Sequence, residues 1–171
     1  VYKRQLWLGR GRYLGYLRDP AETPDIARIE RRMDFVSGAS MFVTRPYVET
    51  VGPMDDSFFM FAEDVEWCLR GRRRGQRFAY AHDSLVHHIH GATAGSSHVK
   101  ARRSDFSIYF GERNKVLLMR KYLGAMAPVA MIGALLTTAE YLVRLRSPAQ
   151  FRTALRGWWA GLRGETGYRK V

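Results

Sequence analysis

Val65, Cys68, Leu69 and Arg72 recur at the spacing of one helix face, behind an acidic start (Glu63, Asp64, Glu66) and ahead of an arginine-rich end. Acidic first turns and basic last turns complement the helix dipole, so a helix is predicted from residue 63 to the stop at Gly75. Short apolar runs at 35–36 and 40–44, on either side of Gly38, predict strands. Residues 45–51 predict a brief helix ended by Gly52-Pro53. Residues 78–81 and 85–89 read as two strands around a turn at His82-Asp83-Ser84. From Asp105 onward the pattern is helical.

The first 33 residues, rich in Gly, Arg and Tyr with turn signals at Asp19-Pro20 and Thr23-Pro24, read as an irregular lead-in. Residues 91–98 are small and polar and read as a loop. Residues 122–139 carry no charge. A bilayer-spanning helix needs about 20 apolar residues, and Gly124, Pro128 and Gly133 interrupt this run, so an interfacial or packed helix is expected ahead of a spanning one. In the last helix Phe151, Leu155, Trp158, Trp159 and Leu162 fall on one face, with Arg152, Arg156 and Arg163 elsewhere. That pattern suits a membrane interface or a surface helix packed on a core. The division expected is a lead-in over 1–33, an α/β part over 34–112 and a helical, membrane-interface extension over 113–171.

The 171 residues hold 28 basic against 16 acidic side chains, a formal charge of +12. Such a field draws polyanions: nucleic acid, an anionic membrane or a diphosphate. Nucleic acid is disfavoured because the basic residues are scattered and no helix-turn-helix, zinc-finger or RNA-recognition signature is present. The single cysteine, Cys68, excludes a disulfide framework and a cysteine-rich zinc site. Val1 is neither an initiator methionine nor the start of a signal peptide, and the chain reads as part of a longer protein.

Two groups of residues offer chemistry. The aromatic run Phe58-Phe59-Met60-Phe61 delivers Glu63 and Asp64 to a helix start, where a carboxylate against an apolar wall can accept a proton from an attacking hydroxyl. The plainer alternative is that both acids only complement the helix dipole. His87, His88 and His90 form the second group. On an extended chain His88 and His90 share a face, which supplies part of a metal or phosphate site, or only a polar surface.

The order of these segments resembles family 2 glycosyltransferases, in particular their rhamnosyltransferase-like branch. The resemblance is carried by Asp34-Phe35-Val36-Ser37-Gly38-Ala39, then by Gly52-Pro53-Met54-Asp55-Asp56-Ser57-Phe58-Phe59 running into Glu63-Asp64-Val65-Glu66-Trp67-Cys68-Leu69-Arg70. Val86, His88, Gly91 and Thr93 follow, and Tyr109 with Arg113-Asn114 comes last. The match is specific over 34–93 and looser to 122.

This resemblance implies an α/β fold, the C-terminal, acceptor-side half of a GT-A (nucleotide-diphospho-sugar transferase) fold followed by amphipathic helices. Asp64 then matches the catalytic base, with Glu63 beside it. Gly38, Ala39, Phe61 and Arg113 match substrate-binding positions. His88, with His90 in reserve, matches the histidine near a divalent cation (Mg or Mn). The implied partners are a nucleotide-diphosphate sugar and a glycan or lipid-linked acceptor. The implied place is cytoplasmic, peripheral on the inner face of the cell membrane. The family's nucleotide-binding half and its Asp-x-Asp motif have no counterpart here, so the chain alone is expected to be inactive. Met54 stands where the family usually has Phe. A non-catalytic membrane-associated domain that binds glycans or partners is the rival reading.

Overall fold

The computed structural model describes residues 2–6, 10–14, 19, 22–88, 95, 97 and 99–171. The chain forms two compact units, Val1–Asp55 with Glu63–His88, and Asp56–Ala62 with Ile89–Val171. The boundary expected at 112/113 falls instead inside one continuous helix.

In the first unit, β1 (Tyr2–Leu6) is the middle strand of a three-stranded antiparallel sheet, between β2 (Arg10–Leu14) and β3 (Phe35–Val36). The expected irregular lead-in is therefore corrected: it supplies two strands and a whole helix, α1 (Ile26–Arg32). Asp25 starts α1 by accepting from the Arg28 amide at 2.9 Å, the usual role of an aspartate at the N-cap. Helix α2 (Arg45–Val51) opens on the Thr44 hydroxyl and ends at Gly52 with φ of 81°. Helix α3 (Glu63–Arg73) has the predicted polarity, with Glu63, Asp64 and Glu66 at its start and Arg70, Arg72 and Arg73 at its end.

Helices α2 and α3 are locked together by polar contacts. Arg70 grips the fully buried Glu66 through Nε at 3.1 Å and Nη2 at 3.1 Å, and its other donors reach the carbonyls of Val51 and Pro53. A buried carboxylate is tolerated only with such a partner. Tyr47 stands edge-on to Trp67 at 5.2 Å and donates to the Trp67 carbonyl at 2.8 Å. This approach needs Gly71, where a Cβ would lie 2.3 Å from the Tyr47 hydroxyl.

The strands expected at 40–44 and 78–81 are absent. Residues 38–40 form a single 3-10 turn, and the Tyr80 amide, which a ladder would consume, donates to the Glu30 carboxylate at 2.9 Å. Residues 85–88 form no strand either, and their side chains are exposed. A strand is stable only where a neighbouring strand takes its backbone groups, and β3 at Phe35–Val36 is the last strand among the described residues.

The second unit is helical: α4 (Asp105–Tyr122), α5 (Ala127–Thr138), α6 (Glu140–Val143) and α7 (Pro148–Leu162). Ser104 caps α4 through the Ser107 amide. Helix α7 lies against α4 so closely that a Cβ on Gly157 would come within 2.3 Å of the Tyr109 carbonyl, and one on Gly161 within 2.6 Å of the Arg113 carbonyl. Phe151 packs on the cluster of Ile108, Tyr141 and Ala154. It is the small side of α7, Ala154, Gly157, Ala160 and Gly161, that turns to α4, while Trp159 is 53% exposed.

Candidate functional site

Asp64 occupies the first turn of α3 and is half-buried. Its Oδ2 accepts from the Gly38 amide at 2.9 Å and its Oδ1 from the Val65 amide at 2.8 Å. Four residues on, Cys68 Sγ accepts from the Val36 amide at 3.4 Å. Four further, Arg72 Nη1 donates to the Met33 carbonyl at 3.0 Å and the Asp34 carboxylate at 2.7 Å. Positions 64, 68 and 72 of the helix therefore meet positions 38, 36 and 33–34, in and beside β3, in reverse order. Four helical residues rise about 6 Å and two strand residues about 6.6 Å, so the two rows stay in step.

This row fixes the carboxylate without hiding it. An ionised carboxylate offers about four acceptor directions, and two of them are used by backbone amides. Gly38 and Ala39, beside it, are exposed. A Cβ on Gly38 would lie 3.5 Å from Asp64 Cβ and 3.6 Å from Oδ2. Gly38 is therefore the residue that anchors Asp64 through its amide, a role the sequence reading did not give it. The signal was available: polar or sulfur-bearing side chains every four residues on a helix, opposite alternate positions of the segment that includes β3.

Glu63 is half-buried in the same turn, and Glu66 is withdrawn into its bond with Arg70. His88 is exposed in the irregular chain at the end of the first unit. His90, Gly91 and Thr93 lie outside the described residues. Among the described residues no group of three or more His, Cys, Asp or Glu side chains could hold a metal ion. The divalent cation implied by the resemblance therefore finds no matching ligand set there.

Phe61 and Arg113 belong to the second unit. The backbone of the aromatic run is unusual: Phe59, Phe61 and Ala62 have φ of 58°, 69° and 67°, a region that side chains other than Gly, Asn and Asp seldom enter. Asn114 holds it there. Its amide nitrogen lies 2.7 Å from each of the carbonyls of Phe58, Met60 and Phe61. Arg113, fully buried, donates to the Phe58 carbonyl at 3.0 Å, to Gly167 at 2.6 Å and to the Asn114 side chain at 2.9 Å, and it stacks over Phe110. Its guanidinium is thus committed to protein carbonyls, which corrects the expectation of a substrate contact. Asn114, which sequence reasoning left without a role, is the clamp of this segment.

Comparison with known proteins gives one informative likeness. The chain is 27% identical over 85 residues to the low-salt glycan biosynthesis hexosyltransferase Agl10 of Haloferax volcanii. The likeness covers 50% of this chain and 26% of that protein. No protein-family model matches the chain. No solved structure matches it either.

Proposed function

We propose that the intact protein is an inverting glycosyltransferase of the family 2, GT-A type. It moves a sugar from a nucleotide-diphosphate donor to a hydroxyl of a glycan or lipid-linked glycan, with rhamnose among the candidate sugars. It works at the inner face of the cell membrane in building cell-envelope polysaccharide. One observation carries the reading: a half-exposed Asp64 carboxylate, anchored by the Gly38 amide at 2.9 Å, at the start of a helix entered from an aromatic segment. The likeness to a hexosyltransferase supports the same class.

In the proposed step the acceptor O–H gives its proton to a free lone pair of Asp64. The oxygen forms its bond to the anomeric carbon as the bond from that carbon to the diphosphate breaks. The leaving nucleoside diphosphate takes the electron pair, and one displacement inverts the configuration. A base held in place is already oriented when the hydroxyl arrives. General-base assistance of this kind contributes roughly 10²–10⁴-fold.

The test is a panel of nucleotide-diphosphate sugars offered to the intact protein with membrane-extracted lipid-linked glycans. Acceptor-dependent release of nucleoside diphosphate, with a glycosylated product of inverted configuration, is expected. Donors that are neither bound nor turned over would overturn the reading.

A further inference from the structure

Helix α5 is built inside out for a protein in water. Its buried positions are small: Ala127, Ala130, Ala134 and Thr138, all 6% exposed or less. Thr138 adds a polar link inward, its hydroxyl donating to the buried Glu112 carboxylate of α4 at 3.1 Å. The large aliphatic side chains face outward instead: Val129 is 60% exposed, Ile132 61%, Leu136 71% and, on α6, Val143 74%. A surface helix in water shows the opposite order, with a large apolar stripe inside and charge outside. Small residues at the helix contact and large apolar ones outside are the arrangement found where lipid is the solvent.

The charge pattern selects the occupant. Residues 122–139 carry no charge, whereas Lys121 precedes them and the exposed Arg144 and Arg146 follow; Arg120 is held by the carbonyls of Gly161 and Leu162, and Arg144 lies 3.5 Å from Glu140. Basic residues bracketing an apolar face suit an anionic lipid surface. A second copy of this chain is disfavoured, because it brings the same +12 charge to the contact. By length and composition Gly124–Val143 is sufficient to cross a membrane. One side of α5 is committed to α4, however, and Glu140 interrupts the apolar run.

We infer that the outward face of α5 and α6, centred on Ile132 and Leu136, embeds in the surface of an anionic bilayer, with the basic residues at either end on its headgroups. Helix α7, the membrane candidate by sequence, serves as the packing partner of α4. This inference deepens the membrane contact in the reading above but does not depend on the transfer chemistry. Vesicle binding is read without a sugar donor, so its loss leaves the role of Asp64 standing, and failed transfer leaves vesicle binding standing.

The experiment is flotation of the protein with vesicles of phosphatidylcholine, with and without phosphatidylglycerol. The proteins compared are the wild type, the double variant Ile132→Asp/Leu136→Asp and the α7 variant Trp159→Ala, each checked for helix content by circular dichroism. Wild type and Trp159→Ala should float with the anionic vesicles, and the double variant should bind at least about tenfold more weakly. Unchanged flotation of a folded double variant would overturn the inference. So would a wild-type dimer that ignores vesicles and dissociates when Ile132 and Leu136 are replaced, since the face would then lie between copies.

Discussion

The amide of Gly38 donates to Oδ2 of Asp64 at 2.9 Å, across 26 residues of sequence. A glycine is not required there by backbone geometry, since no positive φ is found at this position. Its smallness matters on the side facing the carboxylate.

The variant Gly38→Ala should therefore fold normally. The added Cβ meets Asp64 at ordinary contact distances of 3.5 and 3.6 Å, and surface changes of this kind shift stability by about 0.5 kcal/mol or less. Transfer by the intact protein should fall nonetheless, because the methyl group fills space beside the base. Equal melting temperatures with reduced turnover would meet the expectation. A large loss of stability would mean that the contact is tighter than described.

The clamp on the aromatic segment is testable by opposing changes. Asn114→Ala takes the shared donor from the part-buried carbonyls of Met60 and Phe61, while that of Phe58 keeps Arg113, and stranding such carbonyls costs about 1–3 kcal/mol. Ala62→Gly should act in the other direction, because the left-handed φ of 67° costs alanine about 1 kcal/mol that glycine does not lose. Urea unfolding of both variants measures the two shifts, and stabilisation by Asn114→Ala would contradict the clamp.

Much of the first unit was legible in the chain and much was not, for physical reasons. Helix α3 and its polarity followed from local charge order, and the end of α2 from Gly52 and Pro53, because dipole partners and breakers act within a few residues. The hairpin of β1 and β2 was missed because its pairing is not signalled by local composition. The strand expected at 78–81, and the described residues 85–88 of the next one, failed for the converse reason: their apolar character was local, whereas a neighbouring strand is a property of the whole fold. At the site, Asp64 was visible as a residue type at a helix start. Its anchor on Gly38, and the commitment of Arg113 to Phe58 and Gly167, depend on contacts between distant segments.

Cys68 reports on the same row of contacts. Burial pushes its thiol up from 9.0 to about 11, against the lowering effect of the Val36 amide, with Asp64 and Glu66 adding to the rise. The folded protein thus holds the thiol proton more tightly than the unfolded chain. The resulting stability is complete below pH 9 and is lost as the pH rises towards 11. Wild type should lose on the order of 2 kcal/mol more than Cys68→Ala across that interval in urea titrations. The thiol should also resist alkylation at pH 8 until the protein is unfolded. Rapid labelling of the native protein would contradict its burial.

The most direct measurement is the turnover of Asp64→Asn in the intact protein, set beside its affinity for the sugar donor. Asparagine keeps an oxygen for the Gly38 amide, gives up the acceptor facing the Val65 amide, and cannot take a proton from an attacking hydroxyl. Turnover should fall by roughly 10²–10⁴-fold while donor affinity and melting temperature stay near the wild-type values. Turnover within a few-fold of wild type in that variant would show that Asp64 is not the base.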